Sequence, residues 1–134
     1  MKILFYGLRH SHIYKLVERA MKHKDLEVVG LIEDDKETRE QLIKQEGYTF
    51  LDKSYEEMLK TDVDVVAIAG CYGDRGTAII KALTAGKHVI SDKPFCTSLE
   101  ELDQIEKLCK EKNLKLSCML DLRYEQSSQK AKEI

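Results

Sequence analysis

An α/β fold with a doubly wound, mostly parallel open sheet in three layers, α/β/α, is what the sequence predicts, and two observations predict it. Apolar, β-rich runs recur at residues 2–6, 26–32, 63–69, 88–91 and 114–118, and each is separated from the next by helical patterning or a turn. Two of them, Ile3-Leu4-Phe5 and the stretch from Val63 to Ala69, are nearly continuous in apolar character. Strands covered by helices on both faces have that character, because neither face meets water.

The first run leads into Ile13, Leu16, Val17, Ala20 and Met21, spaced i, i+3, i+4, i+7 and i+8 as one helical stripe, with Lys15, Glu18, Arg19 and Lys22 on the solvent side. Ser54 with Glu57, and Ser98 with Glu101, have the spacing of capping boxes and mark two further helix starts. Gly86 and Asn113 are left-handed helix stops. Pro94, the only proline, follows a strand where no ladder bond is needed. The expected core contains Leu4, Leu16, Val29, Val66, Ile68, Ile79, Leu83, Val89, Leu102 and Ile105.

Size and composition bound the rest. The 134 residues correspond to about one domain, with 43% hydrophobic residues, 34% charged residues and a net charge of −2. Basic and acidic residues are interspersed, which speaks against a nucleic-acid partner. No apolar stretch approaches a membrane span, and no signal-peptide pattern opens the chain. Cys71, Cys96, Cys109 and Cys118 lack C-x-x-C spacing and read as reduced thiols, so the expected location is the cytoplasm.

The loop after the first run is Gly7-Leu8-Arg9-His10-Ser11-His12. A Rossmann domain presents G-x-G-x-x-G there, so that backbone N–H groups approach a pyrophosphate at a helix N-terminus. Here only Gly7 matches, with Arg9 at the second glycine position and His12 at the third. Gly7 supplies the tight turn, and Arg9 offers a charged fork to a diphosphate. His12 has a phosphate or a substrate group as its partner. A His10/His12 metal pair is disfavoured because no third ligand is evident. The second run ends in Glu33, Asp34 and Asp35. Glu33, first after the strand, is the candidate acceptor for an adenosine ribose, and its charge opposes a 2′-phosphate, so NAD is expected over NADP. The competing reading is a solvated acidic turn capping the next helix.

The stretch from Asp64 to Leu102, with "AGKHVISDKP" at its centre, resembles the amino-terminal domain of the Gfo/Idh/MocA oxidoreductases. The similarity covers the whole chain. The family's usual Glu-Lys-Pro is Asp92-Lys93-Pro94 here. The resemblance implies an NAD(P)-dependent dehydrogenase of sugars, polyols or related hydroxy compounds, with a second α+β domain completing the site and a homo-oligomeric full-length protein. It implies that Lys93 lies near the nicotinamide and orients the substrate hydroxyl. It also implies cofactor contacts from Ala69, Gly70, Cys71, Tyr72, Arg75 and Asp92, although the common Thr-Pro-Asn is absent and Arg75 stands where a His is common. "CMLDLRY" matches the strand end on the nicotinamide side and places Asp121, Arg123 and Tyr124 near the cleft.

The expected organisation is a dinucleotide-binding domain over residues 1–122, with residues 123–134 beginning a connection to a substrate domain beyond this chain. The expected function is hydride transfer between nicotinamide and a hydroxyl-bearing small molecule, with this chain binding but not turning over. The alternative is a non-catalytic nucleotide-binding or ligand-sensing module.

Overall fold

The computed structural model describes residues 1–120, 123 and 125–132. Five strands form one sheet in the order β2-β1-β3-β4-β5, and every pair is parallel. They are β1 (Lys2–Tyr6), β2 (Glu27–Ile32), β3 (Val65–Ile68), β4 (His88–Ser91) and β5 (Leu116–Cys118). The helices are α1 (His12–Lys22), α2 (Lys36–Glu46), α3 (Tyr55–Leu59), α4 (Tyr72–Thr84), α5 (Leu99–Glu111) and α6 (Gln126–Ala131). The sheet is therefore the doubly wound, Rossmann-like one that the apolar runs predict.

Strand alternation sorts the apolar side chains into two cores, one on each face. Ile3 and Phe5 of β1 point with Val65 and Ala67 of β3 toward Ile13, Val17 and Ala20 of α1 and Leu42 of α2. Leu4, Val66, Ile68 and Val89 point the other way, toward Tyr55 and Met58 of α3, Ile79 and Leu83 of α4, and Ile105 of α5. The capping predictions hold in part. Ser54 and Glu57 form the full box, with the hydroxyl accepting from the Glu57 N–H and the carboxylate accepting from the Ser54 N–H. Ser98 accepts from the Glu101 N–H, but the Glu101 carboxylate accepts from Thr97 instead. Gly86 and Asn113 take the left-handed conformation at φ 78° and 53°.

One core expectation fails, at Leu102, and the apolar stripe of α1 ends one residue early, before Met21. Met21 is 56% exposed and Leu102 is 37% exposed. At the first turn of α5 the residue that meets α4 is Glu101, whose carboxyl group fills the space a side chain at Gly76 would take. The buried seam therefore runs through Glu101, Ile105, Leu108 and Cys109, and Leu102 is rotated outward. Met21 lies in the last turn of α1, beyond the buried Ala20.

Candidate functional site

The chain leaves β1 for β2 on one side and for β3, β4 and β5 on the other, so the connections diverge between β1 and β3. In open α/β sheets a crevice opens at such a point beyond the carboxyl ends of the strands. Here those ends carry the loops at Gly7–Ser11, Ala69–Cys71 and Asp92–Pro94.

Gly7 and Gly70 meet back to back at the crevice. Gly7 has φ 68°, and a Cβ there would lie 2.6 Å from the Gly70 Cα. The Ala69 N–H is shared between the carbonyls of Tyr6 and Gly7, which ties the two loops together. Gly7→Ala is expected to destabilise the chain by at least about 1–2 kcal/mol from the left-handed backbone alone, with the overlap adding to it. A urea midpoint equal to that of the parent chain would contradict this.

The acidic turn after β2 holds the first loop in place. Glu33 is nearly buried; its Oε2 accepts from the Leu8 N–H at 2.6 Å and its Oε1 from the Asp35 N–H at 3.0 Å. Asp34 accepts from the Tyr6 hydroxyl at 2.7 Å, and Asp35 caps α2 by accepting from the Thr38 N–H and hydroxyl. Asp35 is the helix cap, while Glu33 faces the loop and retains one acceptor site on each oxygen. Burial, followed by the bond to Asp34, raises the Tyr6 pKa and keeps that hydroxyl a donor. Tyr6 also stacks on Tyr55 with ring centroids 3.9 Å apart, forming a floor that the sequence did not single out.

Around these groups lies a cleft of about 340 Å³, lined among others by Gly7, Arg9, Glu33, Asp34, Gly70 and Cys71. Among the described residues, the N–H groups of Arg9, His10 and Ser11 donate no hydrogen bond. Successive free N–H groups at the entry to a helix suit an anion. The exposed Arg9 guanidinium lies over the same rim, 3.3 Å from the Cys71 Sγ. Leu8 and Ala69 contribute backbone only, since both side chains are fully buried in the core.

On the far rim His10 stacks on Tyr72, with ring centroids 4.8 Å apart and nearly parallel. Burial first, and the charge of Arg75 second, lower the His10 pKa, so a neutral imidazole stacks there. Arg75 itself is 0% exposed. Its Nε donates to the Gly70 carbonyl, its Nη1 to the carbonyls of Lys93 and Pro94, and its Nη2 to Asp92 at 3.2 Å. It also lies 4.7 Å from the Tyr72 ring centroid. Arg75 is thus the brace that joins the β3 loop to the β4 loop. The sequence carried a signal for this: Arg75, Ala78, Ile79, Ala82 and Leu83 share one helical stripe, and all are buried.

Asp92 is 2% exposed, and its Oδ1 accepts from the Lys93 N–H at 2.8 Å. Lys93 is exposed, with its Nζ 3.5 Å from His12 Nδ1, and that nitrogen is 3.4 Å from Asp92 Oδ1. Arg123 is exposed in the turn before α6 and is not part of the cleft lining. Asp121 and Tyr124 lie outside the described residues. Among the described residues no group of three or more His, Cys, Asp and Glu side chains could hold a metal ion, and no helix is long and apolar enough to cross a membrane.

A switch-point crevice with a glycine-tight turn, free loop N–H groups and an inward carboxylate after β2 defines a dinucleotide-binding α/β domain. Over residues 2–120 the chain matches the oxidoreductase family with an NAD-binding Rossmann fold, and it belongs to that family, Gfo/Idh/MocA. It is 31% identical over 87 residues to an uncharacterised oxidoreductase of Schizosaccharomyces pombe, a match that spans 65% of this chain and 23% of that protein. A crystal structure described as an oxidoreductase, from Erwinia carotovora atroseptica SCRI1043, superposes with a TM-score of 0.86 at 26% identity, covering 99% of this chain and 40% of that one. An NAD-binding protein from Listeria innocua gives a TM-score of 0.78 at 30% identity, covering 94% of this chain and 37% of that one. The chain therefore spans well under half the length of each of these relatives.

Proposed function

We propose that this chain is the cofactor-binding domain of an NAD-dependent dehydrogenase that oxidises a hydroxyl-bearing small molecule such as a sugar or polyol. The observation that carries the reading is the convergence of the Gly7–Gly70 approach, the free N–H groups of Arg9, His10 and Ser11, and the exposed Lys93 on one edge of the sheet. In this assignment those N–H groups and Arg9 hold the diphosphate, and Glu33 accepts from the adenosine ribose. Ala69, Gly70, Cys71 and Tyr72 line the path toward Lys93. The nicotinamide supplies the hydride acceptor. The Lys93 ammonium bonds the substrate oxygen and stabilises the negative charge that develops there.

Residues 1–122, with Asp121 near the nicotinamide side, form the cofactor unit in this reading, and residues 123–134, beginning at Arg123, lead to the part of the protein that completes the substrate pocket. One cofactor domain leaves the reacting face open to water, so this chain binds without turnover. The full-length protein is then a cytoplasmic homo-oligomer.

Calorimetric titration of the chain with NAD and with NADP tests the assignment. NAD is expected to bind the more tightly, because the acidic turn at residues 33–35 opposes a 2′-phosphate. Equal or tighter NADP binding would sink the carboxylate argument. Arg9→Ala is expected to weaken binding by about 1.5–3 kcal/mol, the worth of a hydrogen bond to a charged group; an unchanged dissociation constant would return Arg9 to a solvated role. Saturable NAD reduction by this chain with polyols in an absorbance assay would overturn the claim that it lacks turnover.

A further inference from the structure

The three carboxylates after β2 carry different loads. Glu33 is nearly buried and accepts from the N–H groups of Leu8 and Asp35, while Asp35 accepts twice from Thr38. Asp34 is exposed and takes no backbone donor. Its Oδ2 accepts from the Tyr6 hydroxyl at 2.7 Å, and among the described residues its Oδ1 accepts no hydrogen bond.

The donor is held more firmly than the acceptor. Tyr6 ends β1, and its ring lies 3.9 Å from that of Tyr55, nearly parallel to it. Tyr55 is 2% exposed, and its own hydroxyl donates to the Ala78 carbonyl of α4 at 2.9 Å. The stack is thus anchored in the core on one side and reaches the acidic turn on the other. An exposed aspartate samples several rotamers; one tied to a fixed hydroxyl keeps its charge in one place.

Asp34 also lines two clefts at once. One is the cofactor cleft of about 340 Å³, and the other, of about 280 Å³, carries Arg39 and Lys53 together with Asp52 and Glu57. Glu57 is engaged in the Ser54 capping box. An anion that reached past Asp34 would therefore meet two cations.

We propose that Tyr6 is a specificity-positioning residue: it holds the Asp34 carboxylate at the junction of the two clefts, where that charge rejects a nucleotide 2′-phosphate and selects NAD over NADP. This deepens the NAD reading above and rests on it. Repulsion between like charges falls with separation and with exposure to water, so a carboxylate free to turn outward loses much of its effect. The open Oδ1 remains an acceptor for a 2′-hydroxyl, a donor that the 2′-phosphate lacks.

Calorimetric titration of NAD and of NADP into this chain, into Tyr6→Phe, into Asp34→Asn and into the double variant tests the proposal. Phenylalanine keeps the ring stacked on Tyr55, and Asp34 is exposed, so the variants keep the fold. Tyr6→Phe is expected to tighten NADP binding and to lower the preference for NAD by about threefold or more. Asp34→Asn is expected to lower it by about tenfold or more. The double variant should go no further than Asp34→Asn, because Tyr6 acts only through that carboxylate. Damage to the fold would weaken both nucleotides together and could not produce a gain for NADP. An unmoved preference in Tyr6→Phe, equal weakening of both nucleotides, or a shift that adds to that of Asp34→Asn overturns the proposal and leaves the NAD reading standing. A parent chain that binds neither nucleotide overturns both.

Discussion

Arg75→Met is expected to destabilise the chain by about 3–5 kcal/mol, the cost of leaving a buried carboxylate without its partner. The guanidinium is fully buried, and four groups rely on it: the carbonyls of Gly70, Lys93 and Pro94 and the Asp92 carboxylate. Methionine fills most of the volume, so what is lost is the charge and the donors rather than packing. Against a typical total stability of about 5–15 kcal/mol, the variant stands near the unfolding threshold. Pairing it with Asp92→Asn separates the contributions, because the amide oxygen still accepts from the Lys93 N–H while the buried charge disappears. Urea unfolding of the two single variants and the double variant measures the coupling. A cost below about 1 kcal/mol for Arg75→Met, the range of an exposed pair, would contradict the buried geometry.

The other large effect is on rate. In the full-length protein, Lys93→Ala is expected to reduce kcat by about 10²–10⁴-fold, the usual contribution of a positioned proton-transfer group. The dissociation constant for NAD should change little, because the phosphate and ribose contacts assigned above lie elsewhere, on Arg9, the loop N–H groups and Glu33. A group acting at the reacting centre lowers kcat and kcat/KM together, whereas one that binds ground and transition states equally raises KM alone. Steady-state kinetics with the polyol or sugar that supports NAD reduction gives this split. A variant with wild-type kcat and a raised KM would make Lys93 a binding residue. Lys93 is exposed and its side chain braces nothing in the core, so the stability of the variant should stay close to the parent's.

Much of the site was legible because it is local. Gly7 is recognisable from its place after an apolar strand, and the acidic run from its place after the second. The lysine is singled out only by the family resemblance that "SDKP" after the fourth run carries. Local neighbours of this kind are dictated by the strand that ends beside them. The role of Glu33 was legible only by half. Its place after β2 was clear, but its two bonds to the Leu8 and Asp35 N–H groups depend on how a loop 25 residues earlier folds back.

By itself the sequence determined the layered α/β architecture, since near-continuous apolar strands need cover on both faces and the helical stripes between them supply it. It also determined the left-handed stops at Gly86 and Asn113 and the helix starts at Ser54 and Ser98, each set by a few adjacent residues. Only the tertiary structure decided that Arg75 is a buried brace, that Leu102 yields its place on α5 to Glu101, and that His12 meets Asp92 and Lys93 some 81 residues away. Those outcomes depend on the parallel register that sets β1, β3 and β4 side by side. The helical stripe of α4 puts Arg75 on the buried face but does not name its partner; that partner is chosen by which strand ends converge, and the burial holds because the partner offsets the lost hydration.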